Sequence, residues 1–127
     1  MAKTKLGMLA RTVSANAVAK LLEGGGTLRI CAGPWGTGSV LVELPVKQPG
    51  PIGFDIGEGW VAIKFQSGLG QRKGTPTWAR CLTSDGQVVF ELDVGGIDSK
   101  AAIRLDPLVV HPHGTVLVPE VKYIQPG

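Results

Sequence analysis

The stretch Gly74–Gly96, "GTPTWARCLTSDGQVVFELDVGG", decides the reading of the fold. Two runs rich in β-branched and aromatic residues, "TWARCLT" and "QVVFELDV", flank Ser84-Asp85-Gly86. An Asp-Gly step between two such runs is a strong hairpin signal, because glycine supplies the positive φ that tight hairpin turns need. The period of two predicts that Val88, Phe90, Leu92 and Val94 share the core face of the second strand. Val89, Glu91 and Asp93 are then expected on the other face. Glu91 and Asp93 invite an acid–base reading, but a solvated strand face is the simpler one.

Outward from the hairpin, the rest of the chain after Gly26 also reads as β. In "TLRICA", Leu28 and Ile30 alternate with Thr27, Arg29 and Cys31, and "SVLVELPV" and "GWVAIKFQ" are the next strand candidates. "KQPGPIGFDIGEG" and "SGLGQRKGTP" read as loops, the second carrying Arg72 and Lys73 at its tip. The second lacks phosphate-loop spacing and no helix follows it. "AAIRLDPLVVHPHGTVLVPEVKYIQPG" supplies two or three more strands, broken near Pro112 and Gly114, with Pro119 marking the last run as an edge or bulged strand. Before the β region, Ser14 is a plausible N-cap for "ANAVAKLLE". Ala17, Leu21 and Leu22 share one helical face with Val18 beside them, and Leu6, Leu9 and Val13 continue a similar stripe upstream. The helix is expected to end near Glu23, with Gly24 as a left-handed cap. The expected fold is mainly β: a β-sandwich or jelly-roll-like domain of seven to nine strands with one short N-terminal helix. It divides into an N-terminal arm and helix, 1–26, and a β-sandwich domain, 27–127.

Composition supports a folded domain. The 127 residues are 43% hydrophobic and 18% charged, with 19 glycines and 9 prolines that suit many turns. The net charge of +3 is unevenly placed. Residues 1–30 hold five cations (Lys3, Lys5, Arg11, Lys20, Arg29) against Glu23, so the remainder is close to neutral. The dense basic face with interleaved aromatics of a nucleic-acid-binding domain is missing, so no specific nucleic-acid partner is expected. The arm reads either as solvated or as docking on an acidic protein surface. Arg11 interrupts the apolar run that a secretory leader would need, and no stretch is long enough to span a membrane. A soluble protein without a membrane partner is therefore expected.

Few residues suggest chemistry. Cys31 and Cys81 lack zinc-ligand spacing and read as small buried hydrophobes, with a disulfide between them as the lesser alternative. His111 and His113, in "HPH", are either exposed turn residues or a metal or base pair. Trp35, Trp78 and Trp60 read as core or interface anchors, or alternatively as a sugar-stacking platform. No metal or cofactor is expected.

In order along the chain, "GGTLRICAGPWGTG", "TPTWARCLTSDGQVVFELDVG", "AAIRLDPLVV" and "TVLVPEVKYIQP" resemble small structural proteins of tailed bacteriophages and prophages. The resemblance runs from Leu21 onward, and the Trp-Ala-Arg strand with its Asp-Gly turn is its most specific part. "KQPGPIGFDIGEG" has no counterpart in that pattern, and the run of small residues before the hairpin is shorter here. The resemblance implies a virion component without catalytic activity, assembled in the bacterial host cytoplasm: a capsid decoration or cement protein, or a collar, head–tail or tail-associated protein. The implied partner is the major capsid protein or another virion protein, with homo-oligomeric contacts. The arm residues Lys3, Lys5, Leu6, Met8, Leu9 and Arg11 are the candidate docking residues. A carbohydrate- or receptor-binding module and a small enzyme using the "HPH" histidines are the competing functional classes.

Overall fold

The computed structural model describes residues 15–35, 38–47, 54–57, 60–118 and 120–124. Its elements are one helix, α1 (Ala15–Leu21), and ten strands among the described residues. These are β1 (Gly26–Cys31), β2 (Val40–Pro45), β3 (Phe54–Gly57), β4 (Trp60–Lys64) and β5 (Gly68–Leu69). They continue with β6 (Trp78–Thr83), β7 (Val88–Gly96), β8 (Ile103–Leu105), β9 (Thr115–Val116) and β10 (Glu120–Ile124). The mainly β, sandwich-like architecture matches the expectation. The strand number exceeds it because β3 and the two-residue β5 lie in segments read as loops.

A five-stranded sheet runs β2-β1-β6-β7-β8, a three-stranded one β10-β4-β3, and β5 pairs with β9 as a short ribbon. Leu28, Ile30, Val42, Leu44, Cys81 and Phe90 line the inner face of the first sheet, while Val61, Ile63, Val121 and Tyr123 face them from the second. Phe90 and Tyr123 stack across the interior with ring centroids 5.4 Å apart. The sheets meet at a corner, where Val46 bridges Phe65 and the Gln66 N–H donates to the Pro45 carbonyl at 2.8 Å. Val18, Ala19 and Leu22 of the helical segment belong to the same core. Leu21 is instead 44% exposed, so the buried stripe is 18, 19 and 22 rather than 17, 21 and 22. The left-handed residue after the helix is Gly25, at φ 105°, rather than Gly24, and its N–H donates to the Leu22 carbonyl.

The hairpin forms where the Asp-Gly step places it. Gly86 has φ 90° and donates its N–H to the Thr83 carbonyl at 3.0 Å, while the Thr83 N–H donates to Gln87 at 2.8 Å. The Thr83 hydroxyl accepts from the Gln87 N–H and donates to the Asp85 carboxylate, locking the turn. One strand position departs from simple alternation. Leu82 pairs with Val88 but Cys81 pairs with Phe90, so Val89 is an extra, bulged residue. The insertion turns Val89 inward to 2% exposure and leaves Val88 at 39%. Val88 is therefore outside the core and Val89 within it, the reverse of what period two predicts for those two positions.

After β7 the chain folds back through residues 97–102 and pairs β8 parallel to β7, Val94 opposite Ile103. Asp93 fixes this return by accepting the Ala102 N–H at 2.9 Å, and the Ser99 hydroxyl donates to the Gly96 carbonyl at 2.6 Å.

Candidate functional surface

The outer face of the five-stranded sheet carries a row of charges that follows from strand register. Arg29 of β1 is opposite Glu43 of β2 on one side and Arg80 of β6 on the other, and Arg80 is opposite Glu91 of β7. The Arg29 Nε donates to Glu43 at 2.7 Å, and the Arg80 Nε donates to Glu91 at 2.8 Å with a second bond from its terminal nitrogen. Like charges directly opposite each other destabilise a sheet. Here each arginine has a carboxylate on its far side, so the row reads minus, plus, plus, minus. Glu91 thus holds Arg80, and Asp93 holds the backbone beyond β7. Both strand carboxylates of the hairpin, Glu91 and Asp93, have structural partners.

Next to that row, Arg80 lies over the Trp78 ring at 5.1 Å, and Trp35 stacks on Trp78 with centroids 5.7 Å apart. The segment bearing Trp35 is pinched at its base: the Ala32 N–H donates to the Ser39 carbonyl, and Gly33 and Gly38 both take positive φ. The Thr77 hydroxyl donates to the Gly33 carbonyl at 2.8 Å. Trp78 is 3% exposed and its Nε1 has no hydrogen-bond acceptor among the described residues. Trp60 lies in the other sheet, with the Lys122 ammonium over its ring at 4.4 Å. The three indoles do not converge on one platform.

Cys31 and Cys81 are both free and buried. Cys81 is opposite Leu28 on the core face, whereas Cys31 is opposite Trp78 on the outer face, so strand parity keeps the thiols apart. Burial pushes the Cys81 thiol up to about 12 from 9.0. It also raises Cys31, where Arg80 and Arg29 oppose the effect, and the Tyr123 phenol. These groups are held neutral in the folded protein, while in the unfolded chain they ionise at their ordinary values. The folded state therefore binds more protons above pH 9, and the associated stability, complete below that pH, is lost as pH rises towards 12. Tm measured from pH 8 to 11 should fall, and Cys81→Ala should reduce that fall relative to its own Tm at pH 8.

His111 and His113 are exposed on a turn in which the Gly114 N–H donates to the His111 carbonyl at 3.0 Å. His113 takes φ 64°, the left-handed region that histidine tolerates better than β-branched residues do. Among the described residues, no three His, Cys, Asp or Glu side chains group closely enough to hold a metal ion, and no helix is long and apolar enough to cross a membrane. The candidate arm residues Lys3, Lys5, Leu6, Met8, Leu9 and Arg11 lie outside the described residues, as does Pro119.

The β5–β9 ribbon was not read from sequence as a surface feature. It lies flat on β2: a Cβ on Gly68 would stand 2.3 Å from the Glu43 carbonyl oxygen. Its packed face leaves Leu69 and Leu117 outward, 61% and 59% exposed. Fold and surface together define a small β-sandwich-like domain in which the outer-face charges Arg29, Glu43, Arg80 and Glu91 are paired within their own sheet. No known protein family, curated protein or solved structure matches the chain.

Proposed function

We propose that the protein is a non-enzymatic structural component of a tailed-bacteriophage particle, most simply a decoration or cement protein on the capsid exterior. The carrying observation is the use made of the hairpin that bears the resemblance. It occupies the middle of the main sheet, with Arg80 bound to Glu91, and Asp93 bound to the Ala102 N–H. A scaffold of this kind needs no reactive group on its central hairpin, and its function lies in the surfaces it presents. The partner in this reading is the major capsid protein, met in many copies, so that modest contacts add through avidity.

The arm supplies the first such contact. The sequence of the arm, Lys3, Lys5 and Arg11 among Leu6, Met8 and Leu9, offers charges and apolar side chains that complement an acidic, partly apolar surface. Protein lacking residues 1–13 should keep the full-length Tm to within a few degrees and fail to sediment with phage capsids that the full-length protein joins. Reversing the charges of Lys3, Lys5 and Arg11 should weaken joining more at low salt than at high salt, since salt already screens the native attraction. Undiminished joining of the truncated protein would remove the arm from the account. Copies confined to the neck of the particle would make it a collar protein.

A further inference from the structure

We infer that the β5–β9 ribbon and the two loops at its end form a second docking surface, for an acidic, extended segment of another protein bearing leucine-sized side chains. The surface is built entirely from described residues and does not depend on the phage reading or on the arm. Gly68 pairs with Val116 and Leu69 with Thr115, and the ladder continues through Gly70, whose N–H donates to Gly114 and whose carbonyl accepts from His113, both at 2.8 Å. Gly68 presses on the β2 backbone and Val116 is buried, so the alternate residues Leu69, Thr115 and Leu117 are committed to the outside. Leu69 and Leu117 are diagonal neighbours across the ribbon, a spacing at which side chains form one contiguous apolar contact.

Two features identify what covers that contact. The first is a groove of about 280 Å³ alongside β9, lined by Arg104, Leu105, Asp106, Val109, Thr115 and Leu117. β8, which supplies Arg104 and Leu105, is the last strand of its sheet, an edge of the kind along which an extended chain can lie. The second is charge. No carboxylate occurs in Gly68–Gly74 or in Val110–Val118, whereas Arg72 and Lys73 follow the ribbon directly and His111 and His113 form the adjoining turn. The Arg72 side chain donates to the Ser39 hydroxyl at 3.2 Å, and neither Arg72 nor Lys73 has an ion pair among the described residues. Asp106 is the single acidic residue lining the groove, beside Arg104. A second copy meeting this face through the same face would set Arg72 and Lys73 against themselves, so the complementary occupant is acidic.

The test uses the full-length protein labelled with ¹⁵N and titrated, at low and at physiological salt, with a short peptide alternating aspartate and leucine. Matched peptides alternating lysine with leucine and aspartate with serine are compared, together with phosphatidylserine vesicles and single-stranded DNA. The expected result is saturable amide shifts centred on Leu69, Arg72, Lys73, Thr115 and Leu117 with the aspartate–leucine peptide. Affinity should be about tenfold higher than for either control peptide and should fall with salt. Arg72→Glu with Lys73→Glu should lower it about tenfold and flatten the salt dependence, while Leu69→Ser with Leu117→Ser should lower it without flattening. All four positions are exposed, so the variants should keep the parent Tm, and a variant that does not is replaced by the corresponding alanine pair. Equal affinity for the three peptides, shifts located elsewhere, or saturable binding confined to vesicles or DNA would overturn the inference. Failure to join capsids would leave it standing.

Discussion

Replacing Phe90 with alanine should destabilise the protein by about 3–5 kcal/mol, the largest single-side-chain effect expected here. Phe90 is fully buried and stacks on Tyr123 from the opposite sheet, so its removal opens a cavity where the two layers meet. The neighbouring valines make the experiment specific. Val88→Ala should change stability by no more than about 0.5 kcal/mol, as for other surface changes. Val89→Ala should cost about 2 kcal/mol, since its two methyl groups are removed from the core. Denaturant melts of the three variants would show this order. A costly Val88→Ala beside a neutral Val89→Ala would mean an unbulged strand.

Gly70→Ala should cost about 3 kcal/mol although the change adds a single methyl group. A Cβ there would stand 2.0 Å from the His111 carbonyl oxygen and 2.8 Å from the Val110 side chain. The closer atom is backbone and cannot rotate away, so the ribbon must separate at the hydrogen bonds Gly70 makes with Gly114 and His113. Overpacking of about 1–3 kcal/mol therefore adds to ladder bonds worth about 1 kcal/mol each. Gly96→Ala is the control. A Cβ on Gly96 meets nothing within 4 Å and its φ is not positive, so alanine should be neutral or stabilise by up to about 1 kcal/mol through the unfolded chain. Equal melting temperatures for the two variants would contradict the close approach of Gly70 to the His111 backbone.

How much of this was legible in the sequence depends on the range of the interaction involved. The Asp85-Gly86 turn and the alternation of Leu28 and Ile30 are local, and the structure follows them. The bulge at Val89 is not local: one inserted residue flips the face of its neighbours, and cross-strand packing against Cys81 and Leu82 decides where it falls. β3 sits in a Pro- and Gly-rich run, and its pairing to β4, Phe54 opposite Ile63, is a tertiary fact that no window of that run contains. In "GGG" the three glycines are chemically identical, so which one turns left-handed depends on how the chain enters β1. The same holds for function. Glu91 and Asp93 read as a solvated strand face because their partners, Arg80 and the Ala102 N–H, are brought to them only by folding. Leu69 and Leu117 are 48 positions apart in the chain and share a face only through the β5–β9 register.

The most direct test of the proposed role is to purify any phage particles that the surrounding genome encodes and determine their structure by electron cryomicroscopy, with quantitative mass spectrometry of the same sample. The account predicts this chain at many copies per particle, in density that fits the five-stranded sheet and repeats with the symmetry of the head. Genome surroundings without head genes, or purified particles without the chain, would contradict it.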